Sequence, residues 1–401
     1  MKKFVPYVVI FAVAATVYGA IYHFSGDFGP LAINHFNSYS RQAAHWLEGR
    51  LDVDNVSWLE IAVFEGRYFI SFPPFPSIVM LPLVAIFGAQ TPDHAIALAV
   101  AFASLFFAYR LAFLLLQKEA QSAFFALFLV LGTNYLHISL WGGVWYIAQN
   151  MAFMLTLAAF YFALTKTRWH TLISLFAMCA AMGCRPFNAV YLPAVLWMIY
   201  MREVQTEQNI FLAAKNILLG ATPAIALGSF FMWLNYARFG NIFEFGHNFL
   251  PEFTADPHGQ FYIGRIPENL QSLFFNFNIL DTPQFGAFAF WVASPIVACY
   301  AVYLLINAVR REPTDTTKIP ITWVFPLLIL AHIVLFSFHR TLGGHQFGAR
   351  YTVDVLPAVF LALLFLLKKF SGNNAIKNLA PAIFGFLLNF YGTVDFFRFY
   401  F

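Results

Sequence analysis

Residues 339 to 357 read HRTLGGHQFGARYTVDVLP and lie between two apolar runs, 320 to 338 and 354 to 367. Two arginines, two histidines and an aspartate gather there with no lysine among them. The surrounding chain is 60% hydrophobic and 10% charged, whereas soluble domains carry roughly 25% charged residues. The stretch therefore reads as a loop at a membrane surface, and the runs beside it as spans. Further apolar runs cover 4 to 23, 95 to 116, 123 to 141, 144 to 165, 210 to 235, 286 to 309 and 379 to 394. Most approach the ~20 residues a helix needs to cross a bilayer. The expected fold is all-α: a single polytopic membrane domain over 1 to 401, with about 11 transmembrane helices.

The N-terminus, MKKFVPYVVIFAVAATVYGA, has the basic start and apolar stretch of a signal peptide, but Tyr18 spoils the cleavage pattern before Ala20. It reads as an anchor that stays. Cys179, Cys184 and Cys299 form no paired metal spacing. The formal charge of +4 does not call for nucleic acid, because membrane proteins collect basic residues in cytoplasmic loops.

Two segments decide the topology. Residues 74 to 89 are short for a span and carry three prolines, and 171 to 200 holds GCRPFN at its middle. With the first segment re-entrant or interfacial and the second a hairpin turning at Arg185, the N-terminus lies inside. Lys2, Lys3, Lys118, Lys166, Lys215, Lys318, Lys368, Lys369 and Lys377 then fall at cytoplasmic ends, as the positive-inside rule prefers. The alternative, a spanning 74 to 89 and an unbroken helix over 171 to 200, exports Lys118, Lys166 and Arg168. The first arrangement leaves Arg41, Arg50, Arg67, Arg185, Arg238, Arg265, Arg340, Arg350 and Arg398 outside. A guanidinium grips phosphate through two parallel hydrogen bonds where an ammonium offers a point charge. Nine outer arginines without a lysine thus suggest bound phosphate, against a bland reading of snorkelling or pairing with nearby carboxylates.

The expected outer loops are 24 to 94, 236 to 285 and 339 to 353. In the first, NHFNSYSRQAAHWLEGRLDV places Phe36, Tyr39, Ala43, Trp46 and Leu47 at helical spacing, with Asn34 as N-cap. This is the pattern of a helix lying in the interface. Glu60 follows among apolar neighbours, where a carboxylate's pKa rises and it can act as a base. A helix-surface glutamate is the plainer alternative. Asp52-Val53-Asp54 reads as loop. The second loop mixes aromatic rings with Glu244, His247, Asp256 and His258, which suits sugar faces and an interfacial aromatic belt equally.

In order, NHFNSYSRQAAHWLEGRLDV, EGRYFISFPPFPS, GGVWYIAQN, GCRPFN, LNYARFGNIFEFG and QFGARYTVDVLP resemble the motifs of GT-C superfamily integral-membrane glycosyltransferases. The likeness runs over roughly residues 1 to 370 and is nearest to bacterial transferases that use polyprenyl-phosphate sugars. The resemblance implies a multi-pass inner-membrane enzyme of the cell envelope with its site on the extracytoplasmic face. Its donor would be a polyprenyl-phosphate-linked sugar, and its acceptor a lipid, glycan or protein. Glu60 matches the acid ahead of the Gly-Arg-Tyr stretch and is the expected base, with Asp27 as the second choice. Asn34 and His35 match a polar pair opening the interfacial helix, where better-known relatives carry acids. Arg185, and Arg350 with Asp354, match the arginines and acid of later motifs. Arg67, Tyr68, Arg340 and His345 complete the substrate-binding set. GGVWYIAQN lacks the acid some relatives place there, so neither a metal nor a cofactor is expected. Two rival classes are a transporter, against which polar residues clustered on one side argue, and a non-catalytic assembly subunit.

Overall fold

The computed structural model describes residues 4–26, 28–32, 34–166, 169–278, 288–310, 321–344, 346–370 and 373–400. Asp27, His345, Lys2, Lys3, Arg168 and Lys318, singled out above, lie outside the described residues. The helices in chain order are α1 (Val5–Phe24), α2 (Ser38–Leu47), α3 (Phe75–Phe87), α4 (Asp93–Leu116), α5 (Glu119–Leu131), α6 (Tyr135–Ile138) and α7 (Val144–Leu164). Then come α8 (His170–Met182), α9 (Leu192–Glu207), α10 (Ile210–Phe239), α11 (Pro251–Thr254), α12 (Ile266–Phe275) and α13 (Phe290–Ala293). The last are α14 (Ile296–Arg310), α15 (Ile321–Phe338), α16 (Leu356–Lys369), α17 (Asn374–Lys377) and α18 (Leu379–Tyr400). Proline sits in the first turn of α1, α3, α9, α11, α12 and α16, where its missing N–H would have had no helical acceptor. Among the described residues six helices are long and apolar enough to cross a membrane, and five shorter apolar ones accompany them. The chain is a multi-pass membrane protein.

The described chain forms two compact units. One comprises Met1–Gly29, Ala99–Leu140 and Arg265–Phe401; the other comprises Pro30–Leu98 and Trp141–Gly264. In the first, α16 is buried on every side from Leu356 through Leu367. A helix apolar all round belongs at the centre of its bundle, and α14 and α15 pack against it. Arg398 on α18 donates from Nε to the Phe24 carbonyl at 2.6 Å, capping the end of α1.

The second unit is built on α7 to α10. The segment 171 to 200 is broken as expected: the helix stops at Gly183, Arg185 is extended, and a 3-10 turn over Pro186–Tyr191 leads into α9. α8 and α9 run antiparallel, since Thr171 at the start of α8 donates to Glu203 at the end of α9 at 2.7 Å. Arg202 is buried at this end and donates to the carbonyls of Phe162, Ala163 and Thr165 at 2.7, 3.1 and 2.8 Å. It thereby satisfies the last turn of α7, whose carbonyls have no partner further along the helix. The segment 74 to 89 forms α3, of 13 residues, which packs along α2 with Ser77 donating to Gln42 Oε1 at 2.8 Å.

Several sequence expectations are corrected here. Asn34 is not the N-cap: α2 begins at Ser38, preceded by Asn37. The run 123 to 141 is interrupted after Leu131 by Gly132, and 286 to 309 after Ala293 by Ser294 and Pro295. Hydrophobicity alone had joined pieces that glycine and proline separate.

Arg202→Met should lower unfolding stability by about 2–4 kcal/mol, because three carbonyls and the Glu203 carboxylate lose a charged donor. Denaturant unfolding in detergent micelles checks this; an unchanged midpoint would remove the capping role.

Candidate functional site

Within the second unit, the ends of α7 and α10 opposite Arg202 meet a β-hairpin. β1 (Ile61–Phe64) and β2 (Arg67–Ile70) pair antiparallel, Phe64 facing Arg67. Glu65 and Gly66 between them both have positive φ, +49° and +72°, the backbone of a type I′ turn. Glu60 stands just ahead of β1, half-buried. Its Oε2 accepts the indole N–H of Trp145, in the first turn of α7, at 2.8 Å. Its backbone carbonyl accepts from Ser71 Oγ at 3.2 Å. The Ser71 carbonyl in turn lies 3.2 Å from His247 Nδ1. Burial, and after it the charge of Arg185, push the His247 pKa down to about 4, against a pull upward from its bond to Ser71. The same guanidinium acts on Tyr39, whose hydroxyl burial holds well above its ordinary pKa. The fold thus brings Glu60, His247, Arg185 and Tyr39 to one end of this unit.

A second carboxylate underlies this end. Asp93, the first residue of α4, is 2% exposed and accepts from Ser40 Oγ at 2.5 Å and from Asn34 Nδ2 at 3.0 Å. Asn34 Nδ2 also donates to the Gly142 carbonyl at 2.9 Å, and its Oδ1 accepts from the Phe36 amide at 3.0 Å. Asn34 therefore positions the loop ahead of α2. Gly142 must be glycine here, since a Cβ would stand 2.4 Å from the Asp93 carbonyl carbon. The Gly142 N–H donates to His94 Nδ1 at 3.2 Å, and Asn150 donates to the Ala97 carbonyl at 2.8 Å. The Asp93-His94 pair escaped the sequence reading. An acid and a histidine opening a span were the available signal.

α2 departs from a simple amphipathic helix. Its buried residues are Ser38, Tyr39, Ser40, Gln42 and Ala43, whereas Leu47 is 53% exposed. The expected apolar face is a mixed one. Ser38 Oγ, Tyr39 Oη, Gln42 Nε2 and Trp46 Nε1 are buried with no hydrogen-bond partner among the described residues. Ser38, Gln42 and Trp46 are four residues apart and so share a face. Buried polar groups nearly always find partners, so this row of donors on one face of α2 calls for a partner, water or ligand.

The other expected residues are distributed as follows. His35 is exposed, its carbonyl accepting from Trp58 Nε1 at 3.2 Å. Arg67 is exposed and makes two contacts with Asp52, at 3.3 and 3.4 Å. Tyr68 is bridged to Val53, whose amide donates to its carbonyl at 2.8 Å. Arg50 pairs with Asp54 and Asp52 at 3.1 and 3.4 Å, so Asp52-Val53-Asp54 serves as the anion partner of two arginines. Arg41 donates to Asn37 Oδ1 at 2.7 Å. Arg238 donates to the Ile70 carbonyl at 3.3 Å and to Asn235 Oδ1 at 3.0 Å. Of the arginines expected on the outer side, Arg41, Arg50, Arg67, Arg238 and Arg398 each have a partner within the chain.

Arg340, Arg350 and Asp354 belong to the first unit. Arg350 and Asp354 are 4% and 3% exposed, in a 3-10 turn over Arg350–Val355. The Arg350 amide donates to Gln346 Oε1 at 2.9 Å, and its guanidinium lies 5.0 Å from the centre of the Tyr351 ring. Gly343, at φ +106°, makes room for it: a Cβ there would stand 2.9 Å from Arg350 Nε. Asn134 holds the turn by donating to the Ala349 carbonyl at 3.2 Å, while Ser294 Oγ donates to its Oδ1 at 2.9 Å. Arg340 is half-buried.

No family model matches the sequence, and no curated protein matches it. Among solved structures the fold is similar to the crystal structure of ArnT from Cupriavidus metallidurans in the apo state, with TM-score 0.51 at 14% identity. The similarity covers 93% of this chain and 61% of that one, so this chain spans under two thirds of the ArnT length. At this identity the likeness is one of fold.

The lowered pKa of His247 has a pH consequence. The unfolded imidazole takes a proton near 6.5, the folded one only near 4. The stability this ring contributes is whole above about pH 6.5 and falls as the pH drops toward 4. The loss is on the order of 2 kcal/mol, after allowance for partial exposure. His247→Asn should flatten the pH dependence of unfolding in that window relative to wild type; parallel curves would contradict it.

Proposed function

We propose that the chain is a membrane glycosyltransferase of the GT-C kind, moving a sugar from a polyprenyl-phosphate donor to an extracytoplasmic acceptor with inversion. The observation that carries this reading is the Glu60 carboxylate held by Trp145, at the end of the unit that also holds Arg185, with buried α2 donors that have no hydrogen-bond partner among the described residues. The motif resemblance and the fold likeness to ArnT support the same reading.

In this mechanism the Trp145 indole orients Glu60 so that the carboxylate faces the acceptor rather than turning to solvent. Glu60 takes the acceptor's hydroxyl proton as that oxygen attacks the anomeric carbon from the face opposite the phosphate. The carbon–oxygen bond to the phosphate breaks, and the polyprenyl phosphate leaves with the electron pair. Arg185 meets the charge that grows on the leaving phosphate. Fixed charge in a water-poor site is worth more than in water and needs no reorganisation. Tyr39, Ser38 and Gln42 offer hydroxyl and amide groups to the sugar. Asp93 is a positioning residue: its carboxylate ties Ser40 of α2 and Asn34 to the start of α4. It supplies from residue 93 the negative charge that relatives carry where this chain has Asn34 and His35. Arg350, buried over Tyr351 behind Gly343, is a candidate phosphate contact of the first unit by itself, with Asp354 four residues on to orient it.

The decisive assay uses the protein in nanodiscs with polyprenyl-phosphate sugars and envelope acceptors, following release of polyprenyl phosphate. Glu60→Gln should lower turnover by about 10²–10⁴-fold with folding retained. Equal release by wild type and variant would take the base role from Glu60. No release by wild type, with sugar crossing the membrane in a flux assay, would make the chain a carrier.

Arg350→Lys should keep the fold and lose most turnover, because an ammonium does not replace a bidentate fork. Near-normal activity in that variant would remove Arg350 from the phosphate site.

A further inference from the structure

Far along the first unit lies a cavity of about 540 Å³, formed by the end of α14, the residue after α16, and the α17–α18 junction. Its polar lining is Arg310, Lys377, Asn378 and Tyr303; Val302, Ile306 and Pro381 give it an apolar wall. The volume falls within the range of small-ligand sites. The two cations are held in different ways. Arg310 lies over the Phe370 ring, 5.4 Å from its centre, and that ring packs 5.4 Å from Tyr303. Lys377 ends α17, whose C-terminal carbonyls favour a cation. Asn378 donates to the Tyr303 hydroxyl at 3.1 Å and to the Asn374 carbonyl at 2.7 Å, fixing the cavity floor. Lys369 donates to Asn307 Oδ1 at 3.4 Å nearby. Among the described residues no acidic residue lines the cavity.

The surroundings indicate what enters. Val302, Leu305, Ile376 and Leu379 are 53%, 66%, 68% and 46% exposed on the flanking helices, surface that suits acyl chains. A pocket with basic residues at the head and apolar helix sides at the mouth matches an anionic phospholipid entering headgroup first. The lysines Lys368, Lys369 and Lys377 put this end in the cytoplasm by the positive-inside rule.

We propose that this cavity binds the phosphate headgroup of an anionic phospholipid between Arg310 and Lys377, with its acyl chains along α14 and α18. The site is separate from the groups assigned to sugar transfer, and its test does not use activity.

The experiment compares phosphatidylglycerol with phosphatidylcholine. The full chain is reconstituted in nanodiscs holding both lipids, extracted gently, and its retained lipid counted by native mass spectrometry. Wild type should retain phosphatidylglycerol preferentially, and the paired variant Arg310→Gln, Lys377→Gln should weaken that retention on the order of tenfold. Both side chains are exposed, so the variant should stay folded, which circular dichroism and size-exclusion profiles check. A second variant, Ile306→Trp, fills the cavity with both charges in place and should give the same loss. Equal retention by wild type and both variants would overturn the proposal, as would equal retention of the two lipids. Displacement of the lipid by inorganic phosphate alone would show a site for the free anion and overturn the lipid assignment.

Discussion

A chain in hydrocarbon must satisfy its own backbone hydrogen bonds, because no water is present to do so. Helices meet this demand along their length but leave the carbonyls of the last turn open. The protein closes these ends with long cationic and amide side chains. Arg202 takes three carbonyls at the end of α7 and Arg398 takes that of Phe24, while Arg238 does the same at the end of β2, reaching the Ile70 carbonyl. Asn389 donates to the Gly385 and Ala293 carbonyls at 2.7 and 2.8 Å, next to the break between α13 and α14. Two of the arginines that composition sets apart as functional, Arg238 and Arg398, thus serve the backbone itself.

The same constraint frames the site. Where the chain leaves its regular elements, at Gly142, at Gly183 and after Ile70, polar atoms lose their ladder partners and must be fixed. Asp93, Asn34 and Ser40 fix the loop ahead of α2; Ser71 links Glu60 to His247. What remains after these bonds are formed is the chemistry available to a ligand. It comprises a carboxylate aimed by an indole, a guanidinium beside a neutral imidazole, and a row of donors on α2. The buried Asp93 also resolves a departure in the sequence. The head of the interfacial helix carries Asn34 and His35 in place of an acid, and the fold brings the Asp93 carboxylate to Asn34 from 59 residues further along the chain.

The Arg350 turn shows the opposite economy of means. One glycine at positive φ, one aromatic ring and one glutamine hold a buried guanidinium in place. An arginine so enclosed sits in a poorly solvated setting, where opposite charge is attracted strongly.

The sequence by itself determined the class of the protein, its helical spans and the hairpin break at Arg185, because hydropathy and the positions of Gly and Pro are local properties. It also singled out Glu60, an acid ahead of a turn in an apolar stretch. It placed the boundary of α2 three residues early and joined segments that Gly132 and Ser294-Pro295 separate, because apolar content does not report backbone continuity. Only the tertiary structure decided the partners. That Arg67 faces Asp52, that Asn34 meets Asp93, and that Ser38, Gln42 and Trp46 are buried with their donors unpartnered among the described residues depend on contacts between segments. Helical periodicity gives the face a side chain occupies. It gives no information about which acceptor the fold brings to that face, and this decides whether a polar residue is structure or site.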